Sequence, residues 1–405
     1  MLSEAKDTSE LMVDLAYAAL FFSDERMADE VTELEERLSD LVHEMYEICV
    51  LAARSPRDAE EMSSVLHVVA AIERMANAAV DVSRVVTHRL GIPAALVADL
   101  AQAEEVSHRV RVREESALAR RSLADVELPV EVGMRVVAIR RGKEWVIDPD
   151  GDETLVPDDV LILRGPPEGI GELREMAGAP EWRPPPADED PAIPTDLGRA
   201  VDVLVEMKNI SEVAVGLAYS ALLFNDQSLA AEVNHLEDRL DEMRERLEVW
   251  VLRSAADELD PSPLRGLLHI GGAAEEIGDA AQQMVWLVEE QEEMHPILRM
   301  ALGDTDEVIA WVPVAEGSAL DGRSLAEAQL ETETGFYLLA IRRAGRYLYR
   351  PRGHVRFAAG DELIGRGPDE GQAKLAELCG YRVLEDDDTG EIELVPASSA
   401  SSASP

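Results

Sequence analysis

The sequence predicts a multidomain chain of α and α+β type, in which two three-helix units alternate with two small α+β domains. Three observations carry this. First, phrases recur at a constant offset of 202 positions: Leu15-Ala16-Tyr17 returns as Leu217-Ala218-Tyr219, Ala138-Ile139-Arg140-Arg141 as Ala340-Ile341-Arg342-Arg343, and Arg164-Gly165-Pro166 as Arg366-Gly367-Pro368. One offset throughout means a tandem duplication with hardly any net insertion, and a period this long means duplicated domains rather than a short-repeat solenoid. Second, the first part of each repeat is periodic at three- and four-residue steps. Third, the second part alternates at a period of two, with glycine and proline punctuation.

Residues 1–91 read as three helices. Leu11, Leu15, Ala18 and Phe22 form a helical stripe that Ser23-Asp24 breaks, and the same pair can cap the next helix. Val31, Leu34, Leu38, Leu41, Met45 and Ile48 form the second stripe. Ser55-Pro56 then gives a cap followed by proline at the first helical position. The third stripe runs through Val68, Ile72, Met75, Ala79, Val82 and Val86 to Gly91-Ile92-Pro93. Amphipathic helices with such short links must pack on one another as a bundle.

Residues 92–180 read as an α+β domain. A short connecting helix leads to an alternating strand at Val106, His108, Val110 and Val112. Gly133 opens a strand that turns around Arg141-Gly142-Lys143 and returns as Trp145-Val146-Ile147. Val160-Leu161-Ile162-Leu163 is a fully apolar strand, and a helix follows over about 168–177. Residues 181–196 hold Pro184-Pro185-Pro186 and Asp188-Glu189-Asp190, a semi-rigid linker. The plan then repeats, with helices over 197–294 and an α+β domain over 295–382. Residues 383–405, acidic and then Ser/Ala-rich, are expected to be disordered.

The 405 residues carry 82 acidic and 38 basic side chains, a formal charge of −44, and only four of the basic ones are lysine. This composition reads as salt-adapted, because at molar salt the Debye length is about 3 Å and self-repulsion is screened. It excludes bulk nucleic-acid binding, which needs basic faces, and docking on anionic lipid. Cys49 and Cys379 fit neither a disulfide framework nor a metal spacing, so a reducing cytoplasm is the simple reading. No apolar run reaches the length of a membrane span, and early charges exclude a secretory leader. His-Glu-x-x-His and Ser-centred elbow motifs are missing, so the chain does not read as an enzyme.

Phe22-Ser23-Asp24, Phe224-Asn225-Asp226 and the phrase Glu275-Glu276-Ile277-Gly278-Asp279 resemble the PhoU family. Repeat one has Glu73 and Asn77 at the matching places. Leu320-Asp321-Gly322-Arg323-Ser324-Leu325, Ala340-Ile341-Arg342-Arg343, Gly360-Asp361-Glu362-Leu363-Ile364 and Gly367 resemble the C-terminal domain of RCK/TrkA potassium-transport regulators (TrkA-C, RCK_C). Repeat one departs from this, with Arg120 and Asp158 in place of two glycines, which puts its turns in doubt. No Gly-rich dinucleotide fingerprint follows a strand, so the nucleotide-binding half of an RCK protein is not expected. With the acidic composition, the whole is identified as a salt-adapted, archaeal type of PhoU–TrkA-C tandem.

The resemblance implies a metal-cluster motif at Glu73, Asn77, Glu275 and Asp279. A spacing of four puts each pair on one helix face, and hard divalent cations want several oxygens. The alternative is that Glu275 pairs with an arginine and Gly278 permits close helix packing. The resemblance also implies a pocket for cyclic di-AMP or another small anion at a pseudo-twofold, near Arg140, Arg141, Arg342 and Arg343. Arg350 and Arg352 add basic charge in repeat two, and guanidinium pairs bidentately with phosphate. The alternative is surface arginines that hold neighbouring acids. The implied function is a cytoplasmic ligand-sensing regulator of a membrane cation transporter or channel for potassium, peripheral to the membrane through that partner. Phosphate-signalling adaptor and metal-binding protein are the rivals. A fused pseudo-dimer is compatible with a monomer and with a homodimer through the bundles.

Overall fold

The computed structural model describes residues 1–100, 103–182, 195–255, 262–290, 295–303, 305, 307–385 and 392–397. Most of the Pro/acidic linker therefore lies outside the described residues. Repeat one contains α1 (Leu2–Phe22), α2 (Glu25–Ala52), α3 (Pro56–Thr87), α4 (Ala94–Leu100), β1 (Val106–Arg111), α5 (Leu123–Val126), α6 (Leu128–Glu131), β2 (Arg135–Arg141), β3 (Glu144–Ile147), β4 (Val160–Gly165) and α7 (Ile170–Met176). Repeat two contains α8 (Asp196–Phe224), α9 (Gln227–Ser254), α10 (Ser262–Glu289), α11 (Pro296–Gly303), β5 (Glu307–Pro313), α12 (Leu325–Ala328), α13 (Leu330–Thr334), β6 (Tyr337–Arg343), β7 (Arg346–Tyr349), β8 (Glu362–Pro368), α14 (Gln372–Leu378), β9 (Tyr381–Glu385) and β10 (Ile392–Pro396).

Helix ends follow local chemistry. Ser23 turns left-handed (φ 50°), and the Asp24 side chain accepts from the Arg26 and Met27 amides at the start of α2. Asn225 and Asp226 repeat this device (φ 50°), with Asp226 accepting from the Ser228 and Leu229 amides. Asn, Asp and Ser suit these places because a short polar side chain replaces the missing intrahelical partner. Ser55 accepts from the Asp58 amide and Pro56 opens α3.

The chain divides into two compact units: Met1–Arg109 with Trp182–Thr305, and Val110–Glu181 with Asp306–Pro405. The helical unit holds both three-helix bundles, joined along α3 and α10. Of the short connecting helices, α4 packs across on α8, and α11 packs on α8 of its own repeat and also on α1. Leu15, Met27, Leu38, Ile72, Met75 and their counterparts fill the interior. Among the described residues, no helix is long and apolar enough to cross a membrane.

The sheet unit holds two antiparallel sheets of order β1-β4-β2-β3 and β5-β8-β6-β7. In β5, Val308, Ala310 and Val312 are buried while their alternating neighbours are partly exposed, the period of two the sequence predicts. With Leu320, Phe336, Ile341, Phe357, Leu363 and Leu375 they make the second core. The repeats approach closely at two glycines: a Cβ at Gly133 would lie 2.8 Å from the Glu331 carbonyl oxygen, and one at Gly335 would lie 2.6 Å from the Pro129 carbonyl oxygen. A side chain at either place would force the facing backbone to shift, and both glycines hold positive φ (69° and 75°).

Two expectations need revision. The disordered tail is in part a hairpin: β10 pairs antiparallel with β9, Leu394 opposite Val383, and Leu394 packs against the second core. Ile392 and Leu394 supply a period-two pattern that the acidic composition around them conceals; 386–391 and 398–405 lie outside the described residues. The turns at Arg120 and Asp158 are kept. Both take left-handed conformations (φ 66° and 72°) like the matching Gly322 and Gly360 (φ 83° and 85°).

Candidate functional site

The strand-end arginines fall into two classes. Arg141 Nε and Nη2 donate to Asp159 Oδ1 and Oδ2 at 3.0 and 2.9 Å, and Nη2 donates to the Thr154 carbonyl. Arg343 does the same with Asp361, at 2.6 Å to each oxygen, and with the Arg356 carbonyl. Both aspartates are 1% exposed. They also accept from the Val156 and Ala358 amides, closing the loops before β4 and β8. These hydrogen bonds raise the pKa of both guanidinium groups. Arg141 and Arg343 therefore neutralise buried carboxylates, the bland alternative of the two.

Arg140 and Arg342 stay half-buried on the sheets. Arg140 lies over the Trp145 ring at 6.0 Å. Arg342 pairs with Glu362 at 3.1 Å and lies over Trp311 at 5.4 Å. Arg350, half-buried, takes a left-handed bend (φ 46°) directly after β7, and the exposed Arg352 follows beyond a buried Pro351.

A second arginine group lies at the other end of the same strands, and the sequence reading did not single it out. Arg135 begins β2 and pairs with Asp148 at 3.3 Å and, across the repeats, with Glu307 at 3.8 Å. Glu307 also pairs with Arg366 at 3.5 Å. Arg366 is only 8% exposed and sits over the Tyr337 ring at 5.9 Å. Arg164, the repeat-one counterpart of Arg366, lies opposite Arg135 in the sheet. This group is on the Gly133–Gly335 seam. Arg140 stands five residues further along β2, about 17 Å away at strand rise. The repeated Arg-Gly-Pro phrase was the available signal, since a charge placed before that turn twice over has a use in both domains.

The helical carboxylates form a face on α9 and α10. Arg244 hydrogen-bonds Glu275, and Arg74 of repeat one hydrogen-bonds Asp279 of repeat two. Gln282 Nε2 donates to Glu237 at 2.7 Å. Burial first, then Asp279 and Asp241, push the Glu275 carboxyl above its usual range while Arg244 opposes them. Burial and the same neighbours raise Glu237. In repeat one, Glu73 is partly buried and Asn77 is exposed. Gly278 lets α9 approach, since a Cβ there would fall 2.4 Å from Leu240 Cδ1. Among the described residues, no group of three or more His, Cys, Asp or Glu converges to hold a metal ion. Paired with guanidinium, these oxygens serve as ion-pair acceptors.

Family models match this architecture. The PhoU domain matches residues 2–86 and 204–288, and the TrkA-C domain matches 108–178 and 309–380. The Ktr system potassium uptake protein C of Bacillus subtilis (strain 168) is 33% identical over 69 residues, which are 17% of this chain and 31% of that protein. The chain therefore matches less than a third of that relative's length. A solved PhoU from Pseudomonas aeruginosa is 15% identical, with 71% of this chain and 91% of that one covered and a TM-score of 0.38. The RCK domain of GsuK is 14% identical, with 68% and 63% covered and a TM-score of 0.18. The chain is a tandem array in which a PhoU domain followed by a TrkA-C domain occurs twice.

Proposed function

We propose that this protein is a cytoplasmic ligand-sensing regulator of a membrane cation transporter or channel in potassium uptake, not an enzyme. Its ligand is an anion held at the seam of the paired TrkA-C domains. The observation that carries the site is Glu307, shared between Arg135 of one repeat and Arg366 of the other. An anion with twofold symmetry, cyclic di-AMP being the leading example, would displace Glu307 and meet arginines from both domains. The role in potassium uptake is supported by the Ktr protein match and the TrkA-C domains. A ligand that prefers one arrangement of the paired domains shifts the population toward it, and the helical unit passes the difference to the transporter.

Calorimetric titration in molar KCl tests this, with cyclic di-AMP, ATP, NAD and phosphate compared. Micromolar binding of one nucleotide supports the seam site, and binding through guanidinium groups should tighten as KCl is diluted. Absence of heat from all four removes the seam site. The rival metal reading has against it the arginines on Glu275 and Asp279.

A further inference from the structure

The chain has four lysines, and two of them, Lys6 and Lys208, are buried in the helical unit at 2% and 6% exposure. They are repeat equivalents. Lys6 pairs with Glu10 at 3.0 Å and Asp7 at 3.3 Å. Lys208 pairs with both oxygens of Glu212, at 2.8 and 2.9 Å. Each ammonium group then lies over a tyrosine of the other repeat: Lys6 over Tyr219 and Lys208 over Tyr17, each 5.3 Å from the ring centroid.

The exchange is reciprocal. Going up α1 from Lys6 to Tyr17 means going down α8 from Tyr219 to Lys208, so the two helices are matched antiparallel at two points about 16 Å apart along the axis. The tyrosines act through their rings. Among the described residues neither hydroxyl has a hydrogen-bond partner. Ser9 lies beside Tyr219; it donates its own proton to the Lys6 carbonyl at 2.8 Å, which leaves its oxygen able to accept from the phenol, and the Tyr219→Phe variant separates that contact from the ring contact. A desolvated ammonium over an aromatic face gains more than an exposed one. Slip of one helix past the other by a turn would carry each ammonium, with its own-helix carboxylate, off the ring of the other repeat, and buried polar contacts are best attested as devices that set register. Apolar residues alone would tolerate such slip.

We infer that the two lysine-on-tyrosine exchanges are a register lock between the repeats, which ties each end of α1 to the facing end of α8. A disturbance at one end of α1 then loosens the matched end of α8, more than 200 residues away in sequence. The test is hydrogen exchange on the full chain. Lys6→Met should speed exchange about tenfold both around residue 6 and around residue 219, leaving the 17/208 end near its original rate. Lys208→Met should do the converse. Acceleration confined to the mutated repeat would overturn the lock. If Lys6→Met does not fold, Tyr219→Leu serves, and should loosen α1 around Lys6. Tyr219→Phe keeps the ring and should leave exchange unchanged; loosening equal to that of Tyr219→Leu would show that the hydroxyl, not the ring, is in use and would overturn the inference as well.

Discussion

In repeat two the helical carboxylate face reads Glu237, Asp241, Glu275 and Asp279; in repeat one the same positions are Glu35, Ser39, Glu73 and Asn77. The arginines that answer it differ as well. Arg244 belongs to repeat two, but Arg74 comes from repeat one, where repeat two has Glu276. The duplication has thus kept its backbone and divided its charges, one half supplying acid and the other the base that neutralises it. The sheet domains did the opposite. Arg141–Asp159 and Arg343–Asp361 are the same device at the same place, down to the backbone carbonyl each arginine also reaches. At these two strand ends the pair is kept where its carboxylate is buried, 1% exposed in both domains.

The largest effect should come from breaking the symmetric device. Arg343→Ala leaves Asp361 buried without its cation. With the arginine itself half-exposed, the cost should be about 2–4 kcal/mol in denaturant unfolding, and Arg141→Ala should match it. A clear inequality would mean that the two domains are not equivalent. Asp279→Asn, which copies repeat one, should cost about 1 kcal/mol or less, because Arg74 and Asp279 are both partly exposed. Arg120→Gly relieves a left-handed conformation and should stabilise by about 0.5 kcal/mol once the added freedom of the unfolded chain is counted.

The pH dependence should also separate the two units. The raised carboxyls Glu237 and Glu275 bind a proton more tightly folded than unfolded. Acidification from pH 7 toward their raised range therefore stabilises the helical unit, and that gain is lost again as pH rises through it. Glu327, at the capping box of α12, behaves inversely: hydrogen bonds from the Ser324 amide, then Arg356, hold it down at about 2. Its contribution is present above the ordinary carboxylate value and fades as pH falls from there toward 2. Melting curves that show the helical unit losing stability between pH 7 and 5 would contradict this assignment.

Much of this was legible in the sequence. The repeat, the caps at Asp24 and Ser55, and the alternation in β5 are local patterns, and local chemistry realised them. The turns at Arg120 and Asp158 were harder. A missing glycine suggests a missing turn, but Asp158 belongs to a residue type that tolerates left-handed backbone, and the surrounding hydrogen bonds of the loop, Arg120 amide to Leu155 carbonyl and Asp158 amide to Val112 carbonyl, impose the conformation on both. The seam was hidden for a different reason. Arg135 and Arg366 meet on one glutamate only after two domains pair, and Arg135 aligns with Tyr337, so no offset of 202 connects them. Arg74 with Asp279, and Lys6 with Tyr219, are hidden in the same way.

We place the ligand at the seam rather than at the far strand ends. The most direct measurement is titration with cyclic di-AMP of two variants beside the parent protein, Arg135→Ala and Arg342→Ala, with melting curves to confirm that both are folded. The seam account predicts that Arg135→Ala weakens binding at least tenfold while Arg342→Ala stays within about twofold of the parent. Loss of binding in Arg342→Ala with Arg135→Ala unaffected would move the site to the strand ends and contradict the account.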